Sequence, residues 1–178
     1  MARRLLLARG MDLHEAKERI AIALVESIFR RAGYGIRQFA GEPAPRVAPE
    51  DFTPTFYVAA AGAHTPEREF PIGVAYRPFL EPYIALENQR RQSSVFILAR
   101  RQWPGLQLVL VTDHPEGGRS CFQALAGGER GTELRTVDLV HMPELAILPR
   151  DAADNEDLLL RIYALLSPDR PRRTLARV

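Results

Sequence analysis

Apolar positions near the start of the chain recur at helical spacing. Leu13, Ala16, Ile20, Leu24 and Ile28 fall on one face and Ala23 widens it, which predicts an amphipathic helix from Met11 to Ala32. Asp12 with Glu15 three residues later reads as a capping box at its start, and Gly33 and Gly35 supply the stop. The period then changes. Short apolar-rich runs at Ile36 to Ala40, Thr55 to Ala60 and Phe70 to Arg77 read as strands, separated by a Pro-rich connection (Gly41 to Pro49) and a turn from Gly62 to Glu69. Pro78 and Pro82 interrupt the backbone before a second helix, expected from Tyr83 to Trp103, where Pro104-Gly105 ends it. The run Val95-Phe96-Ile97-Leu98 fits either a helix or a buried strand by periodicity alone.

Leu106 to Thr112 alternates Leu and Val as a buried strand does, and Asp113-His114-Pro115-Glu116-Gly117-Gly118 turns the chain. Ser120 to Leu125 and Leu134 to Val140 are two further strands around a Gly-rich hairpin loop, Gly127 to Gly131. A last helix is expected from Asp154 to Leu166, with Leu158, Ile162 and Leu165 on one face. The organisation that follows is an N-terminal extension (1–10), one α/β domain (11–167), and a basic tail (168–178) carrying Arg170, Arg172, Arg173 and Arg177.

Length and composition suit one globular domain. The longest apolar runs fall far short of the roughly 18 residues a membrane helix needs, so no membrane partner is expected. Arg9 and Asp12 break the run Leu5-Leu6-Leu7 too early for a signal peptide. With the single Cys121, this makes a cytoplasmic protein the expectation. The formal net charge of +2 does not by itself demand a nucleic-acid partner. The type of base is more specific, because Lys17 is the only lysine and every other basic side chain is Arg, a bidentate phosphate ligand.

Several constellations have simpler structural explanations. His14, His64, His114 and His141 lack partners at metal-ligand spacing. Asp113-His114-Pro115-Glu116 is explained as a polar strand-ending turn, and Cys121 as a buried small apolar residue. Gly127 to Gly131 lacks the Gly-Lys-Ser/Thr ending of a phosphate-binding loop. Trp103 and Phe122 have the rings to stack on bases, with core packing as their default.

The order helix, three strands, helix, strand, together with Pro54-Thr55 opening one strand and Gly73-Val74-Ala75-Tyr76-Arg77-Pro78 on the next, resembles the PD-(D/E)XK nuclease-like superfamily over residues 11–112. The resemblance implies an α/β fold with a central mixed sheet flanked by helices, a restriction-endonuclease-like αβββαβ core. It also implies that Thr55 stands where that family carries Asp, and that Gly73 and Ala75 stand where it carries the acid and the Lys. Alternate strand residues share a face, so those groups would converge on one Mg²⁺ and one phosphate. With Thr55, Gly73 and Ala75 there instead, the resemblance implies a degenerate, non-catalytic member with no cofactor, serving as a nucleic-acid-binding or scaffold subunit. DNA or RNA would be held by Arg77, Arg90, Arg91, Arg100 and Arg101; a protein partner or a homodimer is the other kind of partner.

Two alternatives stay open. One is an active Mg²⁺-dependent nuclease with migrated carboxylates, Glu26, Asp51 and Glu87, with Glu67, Glu69 and Gln89 nearby in sequence. Lys17 lies more than two helical turns before Glu26. The other is a protein-interaction module that binds no nucleic acid.

Overall fold

The computed structural model describes residues 12–40, 53–60, 69–128 and 132–167. The N-terminal extension, the Pro-rich connection with Asp51, the turn with His64 and Glu67, part of the Gly127 to Gly131 loop and the basic tail lie outside the described residues. Helix α1 (Leu13–Arg31) starts where the Asp12 carboxylate accepts the His14 N–H and ends before Gly33, whose φ of 88° is the left-handed value that favours glycine. Strand β1 (Tyr34–Gln38) follows at once, so Gly35 belongs to a strand and takes no part in the helix stop.

Strands β2 (Phe56–Ala60) and β3 (Glu69–Tyr76) complete an antiparallel meander with β1. The chain then crosses through helices α2 (Leu80–Arg90) and α3 (Val95–Gln102) to β4 (Gln107–Val111), which pairs parallel with β3. Strands β5 (Phe122–Ala126) and β6 (Arg135–Asp138) continue antiparallel, giving one six-stranded mixed sheet in the order β1 to β6. Helix α4 (Pro149–Leu166) closes the described chain and packs on α1.

Successive residues of β3 divide the core. Ile72, Val74 and Tyr76 join α1 and α4 in one apolar cluster, whereas Ala75 joins α2, α3, Leu108 and Leu110 in the other. The two helix pairs therefore cover opposite faces of the sheet. Among the described residues, no helix is long and apolar enough to cross a membrane.

Several expectations change. The helix expected over Tyr83 to Trp103 is two helices, split by a 3-10 turn at Arg91–Ser93. Arg91 turns to a φ of 49°, and the Ser94 hydroxyl then caps α3 by accepting the Phe96 N–H. Pro82 lies inside the first turn of α2, where a missing N–H breaks no helical bond, so the helix begins before it. The expected strand to Val140 ends at Asp138 and continues as a 3-10 turn, Leu139–His141.

The helical faces also rotate. On α1 the buried residues are Lys17, Ala21, Leu24, Val25, Ile28 and Phe29, with Leu13 and Ala23 exposed. Helix α4 starts five residues earlier than expected, with Pro149 in its first turn and the Asp151 carboxylate accepting the Leu148 N–H. Its buried face is Ala152, Asn155, Leu159 and Tyr163, while Leu158 and Leu165 are 45% and 85% exposed. Polar atoms explain the rotation. The Asn155 amide donates to the Asp151 carbonyl and the Tyr163 hydroxyl to the Lys17 carbonyl, so these residues satisfy themselves inside a core that an apolar pattern does not assign to them.

Gly73 is held small by its neighbours. A Cβ there would meet Leu108 Cδ2 at 2.8 Å, and Leu108 is itself buried. Gly73→Ala is expected to cost about 1–3 kcal/mol in urea denaturation. Leu108→Val in the same chain should recover part of that loss. Gly73→Asp should cost more than either, because it buries a carboxylate.

Candidate functional site

The C-terminal ends of the one parallel strand pair among the described residues carry a buried polar network that ties α1 to the sheet. Lys17 projects from the buried face of α1, and its ammonium donates to Asp113 Oδ2 at 2.6 Å and to the Tyr76 hydroxyl at 3.2 Å. The Tyr76 hydroxyl donates in turn to Asp113 Oδ1 at 2.9 Å, and His114 Nδ1 lies 2.9 Å from the same oxygen. The ammonium also sits 5.2 Å from the Tyr76 ring centroid and 4.9 Å from that of Tyr163, a cation–π arrangement. The Lys17 and Asp113 side chains are 9% and 8% exposed, so this is a buried ion pair linking α1 to the ends of β3 and β4.

The electrostatics follow from this packing. Burial alone would raise the Asp113 carboxyl. The hydrogen bonds from Lys17 and Tyr76, with the charge of Lys17, outweigh it and hold the carboxyl below its ordinary value. Burial, with the adjacent Asp113 carboxylate, pushes the Tyr76 hydroxyl up, so Tyr76 stays a neutral donor. Burial and Glu156 push the Cys121 thiol up to about 12. That is far from the lowered pKa a nucleophilic cysteine needs.

The positions singled out by the resemblance lie elsewhere. The register Phe56↔Ile72 brings Thr55 beside Gly73, as the two strand motifs require. The Thr55 hydroxyl accepts the Val74 N–H at 3.0 Å and its own N–H donates to the Ile72 carbonyl, so Thr55 extends the β2–β3 ladder. Gly73 abuts Leu108, and Ala75 is buried among the apolar residues under α2 and α3.

Glu26 and Glu87 do not come together. Glu26 is on α1, where it accepts from Arg30 and from Gln38. Glu87 is on α2, across the sheet, and fully buried. One of its oxygens accepts the Val95 N–H at 2.9 Å, and the other accepts from Arg90. It thus closes the N-terminus of α3, where a negative charge is favoured. Glu69 pairs with Arg37. Among the described residues, no group of three or more His, Cys, Asp or Glu side chains is placed to hold a metal ion. Thr55, Gly73, Ala75, Glu26 and Glu87 offer no shared oxygen set, so they do not fit the Mg²⁺ of the active alternative.

The arginines separate into two places. Arg77, at the C-terminal end of β3, donates to the Tyr76 carbonyl and lies over the Tyr83 ring. Arg90, Arg91, Arg100 and Arg101 gather at the other end of the sheet, around the ends of α2 and α3. Arg100 donates to the Leu125 and Gly127 carbonyls at the end of β5. Arg101 donates to the neutral Gln92 side chain, and both Arg91 and Arg101 are exposed.

Sequence reasoning met Lys17, Tyr76 and Asp113 one at a time and joined none of them. The signal available was a lysine on the buried stripe of a helix, which needs an acidic partner. No protein-family model, no curated protein and no solved structure matches this chain.

Because the folded-state carboxyl of Asp113 is lowered, its stabilisation is complete above the ordinary carboxylate range and is lost as pH falls through the lowered value. Asp113→Asn should therefore flatten the dependence of stability on pH as pH falls through and below the ordinary carboxylate range. Lys17→Met leaves the carboxylate buried without its cation and should cost about 3–5 kcal/mol at neutral pH. The double variant should be more stable than Lys17→Met alone. Thermal or urea denaturation across that range measures all three.

Proposed function

We propose that the protein is a catalytically degenerate member of the PD-(D/E)XK nuclease-like superfamily that binds nucleic acid without cutting it. The observation that carries this reading is the packing at Gly73, where even a methyl group would press on buried Leu108. The strand position that would bear the metal-binding acid is given over to core packing. Other features support it. The elements run α1, β1, β2, β3, α2, α3, β4, with the crossover delivering β4 parallel to β3, as expected for an αβββαβ core. Thr55 and Gly73 are cross-strand neighbours, and Ala75 is enclosed by apolar side chains. Of the arginines grouped at one end of the sheet, Arg91 and Arg101 are exposed and supply positive charge for a polyanion, while Arg90 is paired with Glu87 and Arg100 with backbone carbonyls.

A second reading, a protein-interaction module, has its own observation. Leu158 and Leu165 stand exposed on the outer side of α4, one helical stripe away from its buried face.

Incubation with single- and double-stranded DNA and RNA in Mg²⁺ or Mn²⁺ should give no cleavage above the level of a mock preparation. Metal-dependent cleavage that Glu26→Gln or Glu87→Gln abolishes would overturn the proposal. Binding to the same nucleic acids should weaken steeply as salt rises, because phosphate contacts release counterions. Failure to bind any of them at low salt would favour the protein-interaction module.

A further inference from the structure

The face of the sheet that carries Thr55 and Gly73 is covered by α2 and α3 only over its central and later strands. Over β1 and β2 it bears a row of aromatic groups. The Arg37 guanidinium lies 4.4 Å from the Tyr57 ring centroid. Phe39 packs at 5.8 Å from Tyr57 with ring planes 31° apart, and at 5.3 Å from Trp103, edge to face. Phe39, Tyr57 and Trp103 are only half-buried and Arg37 is exposed, in contrast to the closed aromatic contacts between Phe29 and Phe56 in the core. The indole N–H of Trp103 is buried with no hydrogen-bond partner among the described residues. A Trp buried for packing usually finds an acceptor, so core packing leaves this ring incompletely accounted for.

Positive charge lies close to Trp103 along the chain. Trp103 directly follows the last turn of α3, which carries Arg100 and Arg101. Arg101 bonds to a neutral amide and so keeps its net charge. Half-open rings, an arginine lying over one of them while also paired with Glu69, and an exposed arginine two residues before Trp103 suit a chain of planar bases on an anionic backbone.

We propose that Arg37, Phe39, Tyr57 and Trp103 form a stacking shelf for the bases of a single-stranded nucleic acid, with Arg101 beside its phosphates. This rests on the nucleic-acid-binding function proposed above and specifies its ligand as unpaired. A duplex keeps its bases stacked on each other and offers the shelf no exposed base face.

Trp103 is the only tryptophan, so its fluorescence reports on the shelf directly. The full chain is titrated at low salt with an oligothymidylate of about ten nucleotides, with an abasic oligomer of the same length, and with a duplex of that length. Labelled-oligomer anisotropy is followed in parallel. Saturable quenching by the oligothymidylate, with at least tenfold weaker binding of the abasic oligomer and the duplex, is the expected result. Tyr57→Leu and Phe39→Leu keep apolar bulk without the ring and should each weaken binding about tenfold, with the fold checked by circular dichroism.

If anisotropy shows binding but Trp103 is not quenched, or the abasic oligomer binds equally well, the shelf is wrong and nucleic-acid binding stands. If Tyr57→Leu and Phe39→Leu lower the melting temperature but leave affinity unchanged, the rings only seal the sheet edge, and the proposal fails. If no oligomer binds, both proposals fall together.

Discussion

The ion pair between Lys17 and Asp113 organises this fold. Removing two charges from water is costly, and a buried pair of this kind often contributes little net stability compared with apolar side chains of the same shape. What it supplies here is position. Lys17 reaches Asp113 and Tyr76 together only if α1 lies at one depth and one rotation over the ends of β3 and β4. The Tyr163 hydroxyl binds the Lys17 carbonyl, so α4 is set against the same residue. A slip of either helix by one residue would leave a charge buried and unpaired, at a cost of several kcal/mol. An all-apolar interface would tolerate that slip far better.

The two faces of β3 are packed in different ways. On the α1 side, β3 contributes Val74 and Tyr76 to a core tied down by polar contacts. On the other side, Gly73 and Ala75 contribute little volume, and Leu108 fills the space beside them. Small residues on β3 and a large one on β4 are a single packing solution. Glu87 fits the same account. It could be taken for a displaced catalytic acid, but both of its oxygens are engaged in closing the break between α2 and α3.

Much of the architecture was legible in the sequence, because strand alternation and helix spacing are local properties. The strands, the helices and the buried Cys121 follow from patterns within a few residues. What escaped was decided at long range. The faces of α1 and α4 are rotated because Lys17, Asn155 and Tyr163 are buried with polar partners, two of them across the fold, and an apolar stripe gives such residues no weight. Lys17 and Asp113 are 96 positions apart, so no spacing rule connects them. The break after Arg90 was legible in principle, since Ser94 is a good helix cap. The clean stop at Pro104-Gly105 marks only the far end of the helical stretch and says nothing of a break within it.

The arginines show why composition alone was a poor guide to binding. Arg100 is committed to two backbone carbonyls, Arg90 to buried Glu87, and Arg37 to Glu69. Each of these holds the fold together as much as it presents charge. With a formal net charge of only +2, the electrostatic part of nucleic-acid affinity must come from a few local groups, and salt would screen it readily. A protein in that position gains more from ring stacking, which salt affects little and which tolerates any base sequence. The proposed shelf and the modest charge of the chain are therefore compatible with each other: on that proposal an unpaired strand would be held by its bases and steadied by few phosphate contacts.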